Sequence, residues 1–152
     1  MNEIKNKNYW QLTKKVLPQH TDHAGVLWHG WYLNFLEEAR IEALSNVGIS
    51  YSQLSTEGFE IPVVAVEINY KLSFFHGDLV CMKSHFYLVN KIKLHCKTLF
   101  LKSNGEIGAE ALIQIVVVIK KNDRMQIVRN LPERIQNIFL LLEEGPKNIN
   151  NS

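Results

Sequence analysis

Hydrophobic and polar positions change their period along this chain, and each change predicts an element. From Trp31 to Val47 the apolar residues fall at Tyr32, Phe35, Leu36, Ala39, Ala43, Leu44 and Val47, the spacing of one helix face. Asn34, Glu38, Glu42 and Ser45 turn away from it. Gly48 is well placed to end the helix. After a short polar connection, Ser50 to Gly58, the period becomes two: Val64, Val66, Ile68, Tyr70, Leu72 and Phe74 share one face of an extended segment, and Glu67, Asn69, Lys71 and Ser73 the other. That pattern predicts a long, half-buried strand.

His76, Gly77 and Asp78 make a turn, and Leu79–Val89, Ile92–Leu101 and Ile107–Ile119 then read as three more long strands. Asn90 with Lys91 and Asn104 with Gly105 mark tight connections between them. Nothing helical separates these strands, so they should pair antiparallel. A further strand-like run, Tyr9 to Leu17, precedes the helix and ends at Pro18, which has no backbone N–H to donate. The inventory is therefore an α+β chain: one strand, one long helix, four long strands. Such a sheet can bury one face around the helix, and self-association is the cheapest cover for what remains. Pro132 heads a short amphipathic segment, Leu131 to Leu142. A single domain spans residues 1–152, with polar tails over about 1–8 and 143–152.

Composition narrows the function. At 152 residues and 46% hydrophobic content the chain can bury one sizeable core. Seventeen Lys and Arg against 15 Asp and Glu leave a net charge of +2, which supplies no global attraction for nucleic acid, so any anion site must be local. The N-terminus lacks the apolar h-region of a secretory signal, and the greasy stretch Ile113 to Ile119 is too short to cross a bilayer; the expected compartment is the cytoplasm. Cys81 and Cys96 lie in strand-like runs without metal-ligand spacing and read as ordinary buried thiols.

The candidate chemistry sits in the loop before the helix, Gln19 to Gly30. Gly25 and Gly30 permit conformations or close approaches that a β-carbon would block. The amides of His29, Gly30 and Trp31 should be among the unsatisfied donors of the helix's first turn, where the dipole also favours a developing oxyanion. Asp22, a few residues upstream, could attack a carbonyl polarised there or activate a water; equally, it could merely cap a turn. His20, Asp22, His23 and His29 are close in sequence, but spacing this loose does not show convergence on a metal, and no metal is expected. Trp28, Trp31, Tyr32, Phe74, Phe75 and His76 could line an apolar slot or be plain core. Glu37 with Arg40 reads as a helix surface pair of little energy.

The string HTDHAGVLWHGWYLNFLEEAR resembles the signature of the 4-hydroxybenzoyl-CoA thioesterase family, which includes thioesterases associated with the Tol-Pal system. Its matching positions are Asp22, Gly25, Val26 to Trp28, His29, Tyr32, Glu38 and Arg40. The resemblance implies a hotdog fold, a long central helix wrapped by a five-stranded antiparallel sheet, acting as a homodimer or homotetramer with sites at a dimer interface. It implies a cofactor-free acyl-CoA thioesterase in which Asp22 is nucleophile or general base and the backbone N–H of His29 polarises the thioester carbonyl. Gly25, Trp28 and Tyr32 would belong to the substrate site, and Lys91 and Lys93, with Lys71 a weaker candidate, would meet the phosphates of coenzyme A. Many relatives carry a first acid where this chain has His20, so Asp22 is the loop's sole carboxylate. The thiol carrier could also be an acyl carrier protein. Two other readings are a non-catalytic acyl-CoA or acyl-carrier-protein binding module, which predicts binding without turnover, and a hotdog dehydratase, whose D-x-N-P-x-H string is absent.

Overall fold

The computed structural model describes residues 8–147. Strand β1 (Trp10–Lys15) is followed by a single 3-10 turn (Pro18–His20), the site loop, and helix α1 (His29–Asn46). Then come α2 (Tyr51–Thr56), β2 (Phe59–Glu60), β3 (Val63–Tyr70), β4 (Leu79–Val89), β5 (Lys93–Leu101), β6 (Ile107–Val116), β7 (Val118–Lys121), β8 (Arg124–Ile127) and α3 (Glu133–Glu144). Five strands form one antiparallel sheet in the order β1-β4-β5-β6-β3. This is the α+β arrangement expected, with one long helix and a five-stranded sheet.

Helix α1 forms because its apolar stripe has a sheet to cover. Tyr32, Phe35, Leu36, Ala39, Ala43 and Leu44 are buried, and each large side chain among them contributes roughly 1.5–3 kcal/mol by leaving water. Against them the sheet presents Val80, Met82 and Phe86 from β4, Leu94, Cys96 and Phe100 from β5, and Ala109, Ala111, Ile113 and Ile115 from β6. Small alanines on β6 leave room for the rings opposite. Helix α3 closes the other end of this layer with Ile135, Phe139 and Leu142, and the Trp10 indole N–H donates to the Leu142 carbonyl at 2.8 Å.

Several boundaries differ from the sequence pattern. The helix starts at His29, two residues earlier than its apolar stripe, because the first turn needs no buried face. Ser50 caps α2, accepting from the Gln53 N–H while the Gln53 side chain accepts from the Ser50 N–H, so part of the expected polar connection is helical. The strand expected over Ile107–Ile119 breaks at Val117: Val116, Val117 and Val118 are all buried, which straight alternation forbids, and a bend carries the chain into a second sheet. That second sheet, β2-β7-β8, was not expected from the pattern. Its hairpin turns on Asn122 and Asp123, both at positive φ, a residue pair that could have revealed it. Strand β3 ends at Tyr70, and the face expected to be half buried is largely open: Val64, Val66 and Tyr70 keep 51%, 44% and 53% of their surface. The helix does not reach far enough to cover this edge strand. Residues 1–7 and 148–152 of the expected tails lie outside the described residues, while Glu143 and Glu144 belong to α3.

Candidate active site

The loop from His20 to Trp28 is held from three sides. His20 is buried; its Nδ1 accepts the Leu17 N–H at 3.0 Å, its carbonyl accepts the Trp28 N–H at 2.9 Å, and its ring packs on Trp31 and Phe35. An imidazole that accepts at Nδ1 carries its proton on Nε2. His20 is thus an anchor for the loop. Farther along, the Leu27 N–H donates to the Phe74 carbonyl at 2.8 Å and Val26 bridges to Phe75, which ties the loop to the segment after β3.

Inside that frame Asp22 makes a tight turn. Its carboxylate Oδ1 accepts the Ala24 N–H at 2.9 Å and the Val26 N–H at 3.4 Å, and its carbonyl accepts the Gly25 N–H at 3.0 Å. Gly25 sits at φ +80° with open space around a hypothetical β-carbon, so the glycine is needed for its conformation and not for proximity. Gly30 is the reverse case. A β-carbon there would lie 2.1 Å from the Trp28 indole, which folds back over the first turn of α1. Asp22 thus caps a turn through one oxygen, and Oδ2 has no hydrogen bond from a described residue.

Asp22 and His29 line one pocket of about 360 Å³, shared with Leu27, Tyr32, Tyr70, Lys71, Leu72 and Ser73. His29 is the first residue of α1, so its N–H has no acceptor within the helix and stands at the positive end of the dipole. The His29 side chain is exposed and packs beside the half-exposed Trp28 ring, 4.8 Å between centroids. The Tyr32 ring meets Tyr70, Phe100 and Phe74 edge-on. Burial, and secondarily the neighbouring Tyr70, push its hydroxyl up to about 12, so the phenol is a hydrogen-bond donor at neutral pH.

The pocket therefore joins Asp22, His29 and Tyr32 from the loop and α1; of the other expected site residues, Gly25 and Trp28 do not line it, Gly25 shaping the Asp22 turn and Trp28 packing beside the His29 ring. Tyr70, Leu72 and Ser73 were not among the expected site residues, because nothing in a strand end tells which helix terminus it will meet. Lys71 lines the pocket and pairs with Glu110 at 3.5 Å. Lys91 and Lys93 do not join the site within one chain. The β4–β5 turn lies at the end of the sheet where Val63 pairs with Ile115 and Lys93 with Val116; the pocket lies at the other end of β3, beyond Tyr70. Glu37 does pair with Arg40, but Arg40 is buried and leaves Nε and Nη1 without a protein partner, so this is not the surface pair expected. Glu38 is exposed and pairs with Lys14 at 2.8 Å. Among the described residues, no three His, Cys, Asp or Glu side chains gather as a metal site. No described helix is long and apolar enough to cross a membrane.

Residues 16–139 match the thioesterase-like superfamily. The chain belongs to that superfamily. It is 28% identical to the long-chain acyl-CoA thioesterase FadM of Escherichia coli over 80% of its own length and 93% of that protein's. Among solved structures, the 1,4-dihydroxy-2-naphthoyl-CoA thioesterase Slr0204 of Synechocystis superposes with a TM-score of 0.78 at 20% identity, covering 90% of this chain and 98% of that one. The protein SAV2348 of Staphylococcus aureus, solved in complex with CoA, superposes with a TM-score of 0.80 at 14% identity, covering 96% and 90%. At such identities the superpositions carry the fold alone, and the fold is the hotdog of thioesterases. The expected enzyme class, a thioester hydrolase, stands at the level of the superfamily.

Proposed function

We propose that this chain is an acyl-CoA thioesterase releasing a free acid and coenzyme A, with Asp22 as its carboxylate and the His29 N–H as its carbonyl-polarising donor. One observation carries the reading: Asp22, whose carboxylate has an uncommitted oxygen, and His29, whose N–H is an unsatisfied helix N-terminal donor, line the same pocket. The oxyanion formed when the thioester carbonyl is attacked would be stabilised by that amide. As general base, Asp22 takes a proton from water as the water oxygen bonds to the carbonyl carbon. Collapse of the tetrahedral intermediate breaks the C–S bond, and the departing thiolate takes the proton back from the Asp22 carboxyl. As nucleophile, Asp22 first forms a mixed anhydride with loss of the thiolate, and water then cleaves it. A single turnover in water labelled with heavy oxygen separates the two, since only the nucleophilic route can carry label into Asp22.

Asp22→Asn keeps the turn but removes the base, and kcat should fall by about 100- to 10,000-fold, the range of general acid–base catalysis. Release of free thiol from a panel of acyl-CoAs measures this. Activity unchanged in the variant would exclude Asp22 from the chemistry, and saturable binding with no turnover on any thioester would favour a binding module.

The same reading includes a homodimer. Strand β3 is an edge of eight residues carrying neither Lys nor Pro, with an open apolar inner face, and such edges are normally covered. Antiparallel pairing of two β3 edges about a two-fold axis would bring the far end of one sheet, with Lys91 and Lys93, toward the pocket of its partner. That arrangement accounts for phosphate-binding lysines that are distant from Asp22 in their own chain. The narrower kinship with 4-hydroxybenzoyl-CoA thioesterases rests on the loop signature.

A further inference from the structure

Lys102 does not line the pocket, but it holds the segment from which the site loop is hung. It is the first residue after β5, and the turn to β6 fixes its backbone: its N–H donates to the Glu106 carbonyl at 2.8 Å and its carbonyl accepts the Gly105 N–H at 2.9 Å. From there the side chain, 22% exposed, reaches the segment after β3. The ammonium donates to the Ser73 carbonyl, lies 3.6 Å from Asp78 Oδ2, and stands 4.7 and 5.7 Å from the ring centres of Phe74 and Phe75. Asp78 Oδ2 in turn accepts the Phe75 N–H at 2.8 Å. One cation thus gathers a carbonyl, a carboxylate and two aromatic rings.

Those groups bear directly on the site. Ser73 lines the pocket with Asp22 and His29. The Phe74 carbonyl accepts the Leu27 N–H at 2.8 Å, and Phe75 bridges to Val26. Phe74 is itself 1% exposed, and its ring occupies the space a β-carbon on Gly108 would need, 2.3 Å away. Val26 and Leu27 lie between the Asp22 turn and the start of α1 at His29, so both reacting groups are referenced to residues 73–75. An ion pair as open as Lys102 with Asp78 adds little to stability, whereas misplacing reacting groups by about 1 Å costs on the order of 100-fold in rate. The cation's effect is therefore expected at the site and not in the overall fold.

We propose that Lys102 is a positioning residue: acting through Ser73, Phe74 and Phe75, its ammonium sets the spacing between Asp22 and the His29 N–H. The consequence for hydrolysis rests on the function proposed above; the effect on the loop does not.

The test uses Lys102→Met, which keeps the stem and removes the charge, and Lys102→Arg, which keeps the charge. Amide hydrogen exchange followed by NMR reads the loop at Leu27, with Met82 of β4 as the reference for the sheet. In Lys102→Met the Leu27 amide should exchange at least about 10-fold faster while Met82 changes less than about 2-fold. On acyl-CoA substrates kcat should fall about 10- to 100-fold with KM within about 3-fold of wild type, and Lys102→Arg should recover most of both losses. Unchanged Leu27 exchange would overturn the proposal, as would equal acceleration at Met82, which is plain destabilisation, or a rise in KM at constant kcat, which is substrate binding. Should Lys102→Met fail to fold, Asp78→Asn, which keeps an acceptor for the Phe75 N–H and withdraws the counter-charge, must still speed Leu27 exchange selectively or the proposal falls. A wild type inert on every thioester, with Leu27 exchange still governed by Lys102, would sink the thioesterase reading and leave the positioning role standing.

Discussion

Asp22 is held by its own turn through Oδ1, which leaves Oδ2 without a hydrogen bond from a described residue, so the structural and chemical readings of this residue are compatible. Three other residues carry a pH prediction. Burial pushes the Cys96 thiol from 9.0 up to about 11 and the Tyr51 phenol, like that of Tyr32, from 10.0 up to about 12. Each folded-state value exceeds the unfolded one, so between the two the unfolded chain has released protons that the folded chain retains. Stability from these groups is complete below the unfolded values and is lost as pH rises toward the folded ones. Thermal unfolding should show a Tm that declines above about pH 9, first through Cys96 and then through the phenols, with Cys96→Ala delaying the onset. A Tm rising between pH 9 and 11 would contradict the burial assigned to all three. At this scale the sequence was informative where chemistry and backbone coincide: Asp22, Gly25 and the helix start at His29 lie within eight residues of one another. It did not reveal the anchoring role of His20, which depends on Leu17, Trp31 and Phe35 meeting around it.

The elements were legible wherever one face is buried by its own chain. Helix α1 and strands β4, β5 and β6 follow their apolar periods because each lies between helix and sheet. The alternation of β3 is equally clear, yet Val64, Val66 and Tyr70 on it stay exposed, so a clear period does not by itself say that a face is covered. Polar residues inside the layer are the harder case, since periodicity treats them as errors. Ser84 on β4 and Thr98 on β5 face each other beneath the helix, hydroxyl to hydroxyl at 2.8 Å, with the Cys96 sulfur 3.7 Å from Thr98. Removing one hydroxyl strands the other in the core. Ser84→Ala or Thr98→Val should each cost about 1–3 kcal/mol, whereas the double variant should cost less than their sum by on the order of 1 kcal/mol. Denaturant unfolding of the four proteins closes this cycle. Strict additivity would mean that the two hydroxyls do not depend on each other.

The whole molecule poses the question of where Lys91 and Lys93 act. Within one chain they and Asp22 occupy opposite ends of the sheet, and no movement of side chains alone could unite them. If two β3 edges pair antiparallel, every pocket draws Asp22 and His29 from one protomer and the lysines from the other. Val66→Lys, a charge on the open face of that edge, should convert the dimer to monomers on light scattering and lower activity together with them. A sharper consequence is complementation. Asp22→Asn lacks the carboxylate but has both lysines; a Lys91→Ala and Lys93→Ala double variant keeps Asp22 and has lost the cations. Each homodimer should be impaired. After unfolding and refolding the two together, random pairing makes half the dimers mixed, and one of the two pockets in each mixed dimer combines an intact Asp22 with intact lysines. About a quarter of all pockets should then be complete, and activity should rise toward that fraction of wild type. Lysines acting on the pocket of their own chain would give no such recovery, because in a mixed dimer each pocket would still lack one of its parts. Recovery on mixing therefore tests the two-fold arrangement and the role of the lysines in one measurement, while the loss in Asp22→Asn alone reports only on the carboxylate.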